Sequence, residues 1–546
     1  MDNNALIEEL AAEFDALKQE RDPWHSTWQE ITNYVLPRRA GVNPDGTLAS
    51  AKVEVSTDRV DSTATEAATM MADGLMGYTV SPSYPWFKLA LEDQMANKSR
   101  VNRSYLDEVE KVMYAEFQKS NFYSIMPEVF ADGDSIGTAT LYIDENVEER
   151  ALQFISVHPY KVFIEDDSRG VVTQVFRRFS MTDKQAKREF GAEAWDNMEV
   201  QYGQRRNIIH ALIPNRPDSG ISADFPWVGV YFEADSHRML RVEPYYENPF
   251  VVWRYRKNTG ETYGRSPAYD ALPDIRVLNL ITKALARGVQ LATDPPYNVP
   301  MAMKGKEKLV PRGANYYMNP NEIITPIQYG SAYNIGKDYH MLMIDRVRKA
   351  FRADIFLSLE AATRQMTAEE VMQRQGEKAA VLGAIVGRLG AELLNPLIKR
   401  VFGILYRAGK LPEEPDEIKG AGLKIEYQGP LFQAQQRYHS TNGLMQTLGS
   451  IIPLQQVFPG ALDSINPDGV VRELLEAGSM PAETYRDKKE VSQIRQARAQ
   501  AQAEAQAQQM QLEQMKALPG LGKAIEPKSP LDRMAQAAQG AVGGIG

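Results

Sequence analysis

The sequence predicts an α+β fold in an elongated subunit, and three observations carry that reading. Helix-period apolar residues and capping signals dominate the first roughly 120 residues, as amphipathic helices require. Short alternating runs broken by Pro, Gly and Asp take over from Thr138 to Arg256, the pattern of antiparallel strands with helical insertions. Farther on, Leu382, Ile385, Val386, Leu389, Leu393, Leu397, Val401 and Leu405 form one apolar seam at helical spacing. A helix of that span would be on the order of 60 Å long, longer than most single domains are wide.

In chain order, Leu6, Leu10, Phe14 and Leu17 share one face of a first helix. Asp22 and Pro23 stand as N-cap and first residue of a second, continued by Trp24, Trp28, Ile31 and Val35 and stopped by Pro37. A third opens at Thr63, where Thr63 and Glu66 have capping-box spacing, carries Met70, Met71 and Leu75, and ends near Gly77. A fourth covers Asn102 to Gln118, and strand runs such as Thr140 to Ile143 and Val171 to Phe179 follow.

Ser266 and Pro267 open a helical stretch that reaches Thr293 before Pro295 and Pro296, with Pro273 expected to kink or delay it. Residues 294–336 are rich in Pro, Gly and Tyr and hold short strand candidates, after which a helix runs from Lys337 to Phe356. The long helix starts at a Thr367 and Glu370 capping box and closes at Gly409 and Pro412. Lys399, Arg400 and Arg407 suit its negative C-terminal end, and Pro396 is expected to kink it. Shorter helices come next, one near Asp468, then an Ala/Gln tract from Ser492 to Lys516 without Gly or Pro. Residues 517–546, rich in Gly, Pro and Ala, read as disordered.

A chain of 546 residues has the length of about three or four domains and can bury its cores without staples. The absence of cysteine excludes disulfides, thiolate zinc sites, iron–sulfur clusters and a Cys nucleophile, and suits a reducing cytoplasm. No apolar run is long enough to span a bilayer, and the acidic N-terminus, with Asp2, Glu8 and Glu9, is unlike a signal peptide. A soluble, unprocessed chain is expected. A net charge of -9 argues against tight wrapping of nucleic acid, which needs Lys and Arg to displace counterions. If DNA is a partner, it should touch without sticking.

Enzymatic readings find little support. Gly133-Asp134-Ser135-Ile136-Gly137 matches the nucleophile elbow of serine hydrolases, with His158 or His210 as candidate base. The elbow needs a strand before the serine and a helix after it, whereas a helix-like stretch precedes Ser135 and a strand-like one follows; a Gly-rich turn is the better reading. No G-x-x-x-x-G-K-[ST] loop occurs, so the chain is no nucleotide-driven motor. The six histidines, His25, His158, His210, His237, His340 and His439, form no metal-ligand spacing, and Asp166-Asp167 and Glu413-Glu414 read as solvated turns. Neither a cofactor nor a metal is expected.

Six stretches taken in order and spacing identify a family. They are Trp24 to Pro37, Asp61-Ser62-Thr63-Ala64-Thr65-Glu66, Asp132-Gly133-Asp134-Ser135-Ile136-Gly137-Thr138, Tyr263-Gly264-Arg265-Ser266-Pro267, Asp294-Pro295-Pro296 and Thr367-Ala368-Glu369-Glu370-Val371. With them the chain resembles the portal, or head-to-tail connector, proteins of podoviruses over most of residues 1–490. The resemblance implies a dodecameric ring at a unique capsid vertex of the virion, assembled in the host cytoplasm, with crown, wing, helical stem and clip around a central channel.

Mapped on local pattern, residues 1–265 would be N-terminal helices and β-rich wing, 266–293 and 337–356 the two stem helices, and 294–336 the clip. Residues 357–366 would be the channel loop, 367–436 the long kinked wing helix and a following strand segment, and 437–490 the crown. Residues 491–516 could add a barrel helix, which only some relatives have, and 517–546 a tail. The implied partners are the terminase large subunit, scaffolding protein, major capsid protein, tail adaptor and nozzle proteins, and double-stranded DNA passing non-specifically.

A conduit for any sequence should offer no base-reading groups and little net positive charge. The seam Val347, Phe351 and Ile355 leaves Arg346, Lys349 and Arg352 on other faces; these, with Arg364 and Gln365 of the loop, are the candidate channel residues. Solvated or intersubunit-paired charge is the competing reading. Lys304, Lys306, Lys308, Arg312, Tyr316 and Tyr317 are the candidate clip surface for docking partners. Another virion tail or assembly protein is the rival function, disfavoured because it has no need of two helices bracketing a short excursion before a long helix.

Overall fold

Ile7, Leu10, Ala11, Phe14 and Leu17 recur every three to four residues and are all buried along one side of α1 (Asn3–Arg21). The computed structural model describes residues 3–39, 59–93, 95–146, 151–191, 205–216, 221–310, 313–321, 323–327, 333–355, 382–418, 422–430, 432, 466–471 and 488–517. Two compact units divide the chain, Met1–Leu474 and Leu475–Gly546.

In the first unit α1 is followed by α2 (His25–Tyr34), α3 (Thr63–Thr79), β1 (Phe87–Leu91), α4 (Arg100–Lys119) and α5 (Phe122–Ser135). A β-rich stretch then runs through β2 (Thr138–Asn146), β3 (Ala151–Val157), β4 (Val162–Asp166), β5 (Val172–Thr182), α6 (Asp183–Phe190), β6 (Arg205–Pro214), β7 (Trp227–Glu233), β8 (Met239–Tyr245) and β9 (Phe250–Arg254). It leads into α7 (Pro267–Thr293), β10 (Tyr297–Asn298), β11 (Thr325–Pro326), α8 (Tyr333–Ala350), α9 (Asn395–Arg407) and β12 (Leu423–Tyr427).

Strands β4 to β8 form a five-stranded antiparallel meander in sequence order. Alternation puts Phe163, Phe176, Ile209, Ala211, Val230 and Phe232 in the cluster that the apolar stripe of α1 joins. Arg21 ends that helix fully buried, donating to the carbonyls of Tyr160 and Val162 at 2.8 Å each with its guanidinium 3.6 Å from the Phe163 ring centre. Burial pulls its pKa down to about 10.

A second, three-stranded sheet, β3-β2-β9, packs under α5, and its Trp253 is fully buried. The main core joins this sheet to α3, α4, α5 and the long helix. All eight residues of the seam read from Leu382 to Leu405 are buried in it.

β1 pairs with β12, and its other edge is occupied by side chains of α4. The Tyr114 hydroxyl accepts from Phe87 N–H and donates to Phe87 C=O, at 2.7 Å each, and Glu110 Oε1 accepts from Leu89 N–H at 2.6 Å. Burial raises the Glu110 pKa to about 8. A carboxyl whose folded pKa lies above its unfolded value stabilises fully below pH about 4.5, and that contribution fades as pH rises through about 8, by at most about 1.4 kcal/mol per unit. Glu110→Gln keeps the acceptor and removes the titration. Its melting temperature should therefore change less between pH 5 and pH 8 than the parent's and exceed it at pH 8; superimposable pH profiles would refute the assignment.

Several sequence expectations need correction. α3 does not start with a Thr63–Glu66 capping box: Asp61 Oδ1 accepts from Thr63 N–H at 2.8 Å, and Ser62, the N-cap, bonds Glu66 through its hydroxyl at 2.6 Å. Asp22 and Pro23 lie in a 3₁₀ turn, Asp22–Trp24, that runs into α2 without a side-chain cap. α7 begins at Pro267 as expected, with Pro273 inside it, so of the two alternatives at Pro273 the delayed start does not occur. α8 ends at Ala350, short of Phe356, because Arg352 adopts a left-handed φ of 54°.

In the long helix, a π-helical segment, Leu389–Leu394, precedes Pro396, which sits in the first turn of α9. Gly409, at φ 65°, closes α9 as expected, with Lys410 N–H returning to Leu405 C=O at 3.0 Å. The capping box at Thr367 and Glu370 lies outside the described residues, as does most of the stretch after Arg437. In the second unit α10 (Lys488–Ala517) covers the Ala/Gln tract, and its described side chains are mostly exposed. No helix among the described residues is long and apolar enough to cross a membrane.

Candidate functional site: a helix pair and the excursion it carries

α7 and α8 pack antiparallel. Arg346 lies 3.7 Å from Asp274, His340 Nε2 lies 3.0 Å from Thr282 Oγ1, and Gly336 faces Leu285. The base of the pair is apolar: Ala268, Ala271, Leu272, Ile275 and Leu278 of α7 meet Met343 and Val347 of α8, with Ile31 of α2, Val35 at its C-cap, and Ala64, Ala67 and Ala68 of α3. Small alanines on α3 and α7 let the helices approach closely, while larger residues fill the remaining volume.

Two sequence motifs fix where this base meets the sheets. Gly137, at φ 97°, lies so close to Gly264 that a Cβ on it would fall 2.3 Å from the Gly264 carbonyl oxygen. Around this contact Gly264 N–H donates to Thr138 Oγ1 at 2.9 Å, Tyr255 N–H to Gly137 C=O at 2.9 Å, and the Ser266 hydroxyl to Ser135 C=O at 2.5 Å. The Asp132–Thr138 and Tyr263–Pro267 stretches thus form one clamp at the start of α7.

This geometry also decides the hydrolase question. Ser135 is fully buried at the C-terminal end of α5, and its hydroxyl donates to Asp134 Oδ1 at 3.0 Å. A helix precedes it and β2 follows, the reverse of an elbow. His158 is engaged elsewhere: Nδ1 accepts from Tyr160 N–H at 3.1 Å, leaving Nε2–H to donate to Arg39 C=O at 3.0 Å. Burial pulls its pKa to about 3, so the ring is neutral. His210 is fully buried and stacked on Tyr231, with ring centres 3.9 Å apart. No described contact joins either imidazole to Ser135.

Between α7 and α8, the excursion turns back through the short β10–β11 pair. Asn315 ties its loop by accepting from Lys308 N–H at 2.7 Å and donating to Lys308 C=O at 3.0 Å. Lys304, Lys306 and Lys308 are exposed, as are Tyr316 (86%) and Tyr317 (56%); Arg312 lies outside the described residues. Met301, Leu309, Val310, Met318 and Ile323 are exposed beside them. Exposed apolar side chains are thus concentrated in this one segment.

The candidate channel cations are less uniform than their spacing predicts. Arg346 and Lys349 are exposed on α8, yet each has a carboxylate nearby, Asp274 at 3.7 Å and Asp345 at 2.7 Å. Arg352 is half-buried in the turn after the helix, and Arg364 and Gln365 fall outside the described residues. Sequence reasoning passed over Lys283 and Arg287 of α7 and Lys337 of α8, which are exposed on the distal half of the pair. For Lys283 and Arg287, their place outside the buried apolar positions of α7 was a signal that could have found them.

The profile of the family described as bacteriophage head to tail connecting protein matches residues 7–485. The portal protein of Salmonella phage epsilon15 is 31% identical over 522 residues, covering 90% of this chain and 91% of that protein. The probable portal protein of Bordetella phage BPP-1 is 29% identical over 521 residues, covering 90% and 92%. The portal protein of Escherichia phage T7 is 20% identical over 436 residues, covering 74% and 75%. The chain belongs to the bacteriophage head to tail connecting protein family.

Proposed function

We propose that copies of this chain close into a dodecameric portal ring at one vertex of the capsid, through which DNA is packaged and released. The observation that carries this reading is the antiparallel α7–α8 pair with its exposed excursion, in a chain that matches the connector family over residues 7–485. In such a ring α7 and α8 form the stem and residues 294–336 the clip. The body up to residue 265 and the long helix form the wing and α10 a barrel helix; the roles of channel loop and crown fall to residues 357–366 and 437–490, most of which lie outside the described residues. Head-to-tail contacts between like subunits close by rotation, and the exposed Tyr and Met side chains of the clip supply apolar area for them.

The clip is also the docking face for the terminase large subunit and, after packaging, for tail adaptor and nozzle proteins. Scaffolding and major capsid protein engage the outer body during assembly in the host cytoplasm. The role is architectural, and ATP hydrolysis belongs to the terminase. Paired cations such as Arg346 and Lys349 suit a wall along which a duplex slides, because a cation already matched by a carboxylate releases few counterions from DNA.

Negative-stain electron microscopy with native mass spectrometry of the same preparation tests the assembly. Rings with an axial hole and a mass near twelve subunits are expected. A population that stays monomeric or dimeric when mixed with scaffolding protein would overturn the reading.

A further inference from the structure

Buried side chains of α7 end at Asn279, and the buried residues described on α8 begin at Met343. Beyond that level the described side chains of the pair are exposed or half-buried, so what holds it there sets the direction in which it leaves the base. A compact polar joint occupies this level. Asn279 Oδ1 accepts from the backbone N–H groups of Val60 and Asp61 at 3.1 and 3.2 Å, and its amide is oriented by donating to Ile275 C=O at 2.9 Å.

Asp61 then uses its two oxygens on different bodies. Oδ1 accepts from Thr63 N–H at the start of α3, at 2.8 Å; Oδ2 lies 3.2 Å from the Thr282 hydroxyl of α7 and 3.6 Å from His340 Nε2 of α8. The Thr282 hydroxyl has two acceptors, Asp61 and Leu278 C=O at 2.8 Å. His340 Nε2 lies 3.0 Å from the same hydroxyl oxygen, which ties α8 to this joint. Asp61 is 9% and His340 22% exposed, so these bonds are shielded from competing water.

We propose that Asp61 is a positioning residue that fixes the angle between the α7–α8 pair and the helical body, and through it the location of the excursion. The lever is long: the residues from Leu280 to Thr293 extend about 21 Å at 1.5 Å per residue, so a tilt of about 10° at the joint moves the tip by about 4 Å. The apolar base formed by Ile275, Leu278, Met343 and Val347 does not include Asp61, so its loss changes direction without removing the core. The inference concerns one subunit and stands apart from the number of copies in a ring.

The chain has no cysteine, so Lys306→Cys on the excursion and Asp235→Cys at the β7–β8 turn supply the thiols for spin labels. Intrasubunit distances are read by pulsed electron resonance in the full-length protein, with labelled chains diluted into unlabelled ones. Asp61→Asn retains an acceptor for Thr63 N–H but cannot also accept from the pair. It is expected to widen the distance distribution about twofold while circular dichroism stays unchanged. Thr282→Val combined with His340→Leu, which cuts the same links from the other side, should widen it equally. A parent-like distribution in the double variant overturns the proposal whatever Asp61→Asn does, since Asp61 would then act only as the α3 cap. If Asp61→Asn fails to fold, the double variant decides.

Discussion

Arg254→Ala should destabilise the protein by about 3–5 kcal/mol, the cost of breaking a buried, hydrogen-bonded ionic network by removing one partner. Arg254 is 1% exposed at the end of β9, and its guanidinium donates to Asp166 at 2.9 Å, to Glu392 at 2.9 Å and to Gly170 C=O at 2.6 Å. Glu392 also accepts from Arg254 N–H at 2.9 Å, so the π-helical turn takes over a backbone bond that no strand supplies. One side chain thereby joins the three-stranded sheet, the edge of the five-stranded one and the long helix. Lys257 remains beside Asp166 and Arg388 beside Glu392, which holds the loss to this range. Chemical denaturation followed by tryptophan fluorescence measures it; a change below about 1 kcal/mol would show that those two cations suffice.

Gly137→Ala should cost on the order of 3 kcal/mol, from two sources that a control separates. The residue sits at φ 97°, and its new methyl would meet backbone, the Gly264 carbonyl oxygen at 2.3 Å, which cannot rotate away as a side chain can. Gly260 has φ 81° and nothing within 4 Å of the place a methyl would take, so Gly260→Ala carries the conformational strain alone, about 1 kcal/mol. The difference between the two variants measures the clamp at the start of α7. Equal effects would mean that the Gly137–Gly264 approach relaxes at no cost.

What the sequence revealed and what it hid divide along physical lines. The seam from Leu382 to Leu405, the start of α7 at Ser266 and Pro267, and the closure at Gly409 are local: each follows from helical period or from one residue's backbone preference. The π turn at Leu389–Leu394 has no such signature, being matched to Arg254, which is far away in sequence. The early end of α8 is equally hidden, because Arg352 rather than a glycine takes the left-handed conformation.

The candidate site shows the same division. That two helices bracket an exposed excursion was readable, as was the exposure of Lys304, Lys306, Lys308, Tyr316 and Tyr317. That Arg346 faces Asp274 was not, since the pairing depends on how α7 and α8 register. The capping spacing at Thr63 misled because Asp61, two residues earlier, takes the Thr63 N–H that the Glu66 carboxylate would have accepted, and Glu66 bonds the Ser62 hydroxyl instead.

The occupation of the β1 edge by Tyr114 and Glu110 bears on life before assembly. A subunit made in many copies must stay dissolved until its proper neighbours arrive, and a bare strand edge invites the wrong ones. With the outward N–H groups of Phe87 and Leu89 already satisfied from within the same chain, a stray strand gains nothing by docking there. In the proposed ring, copies would then recognise one another by side-chain surfaces, whose geometry can close, and not by an open ladder that has no natural last member.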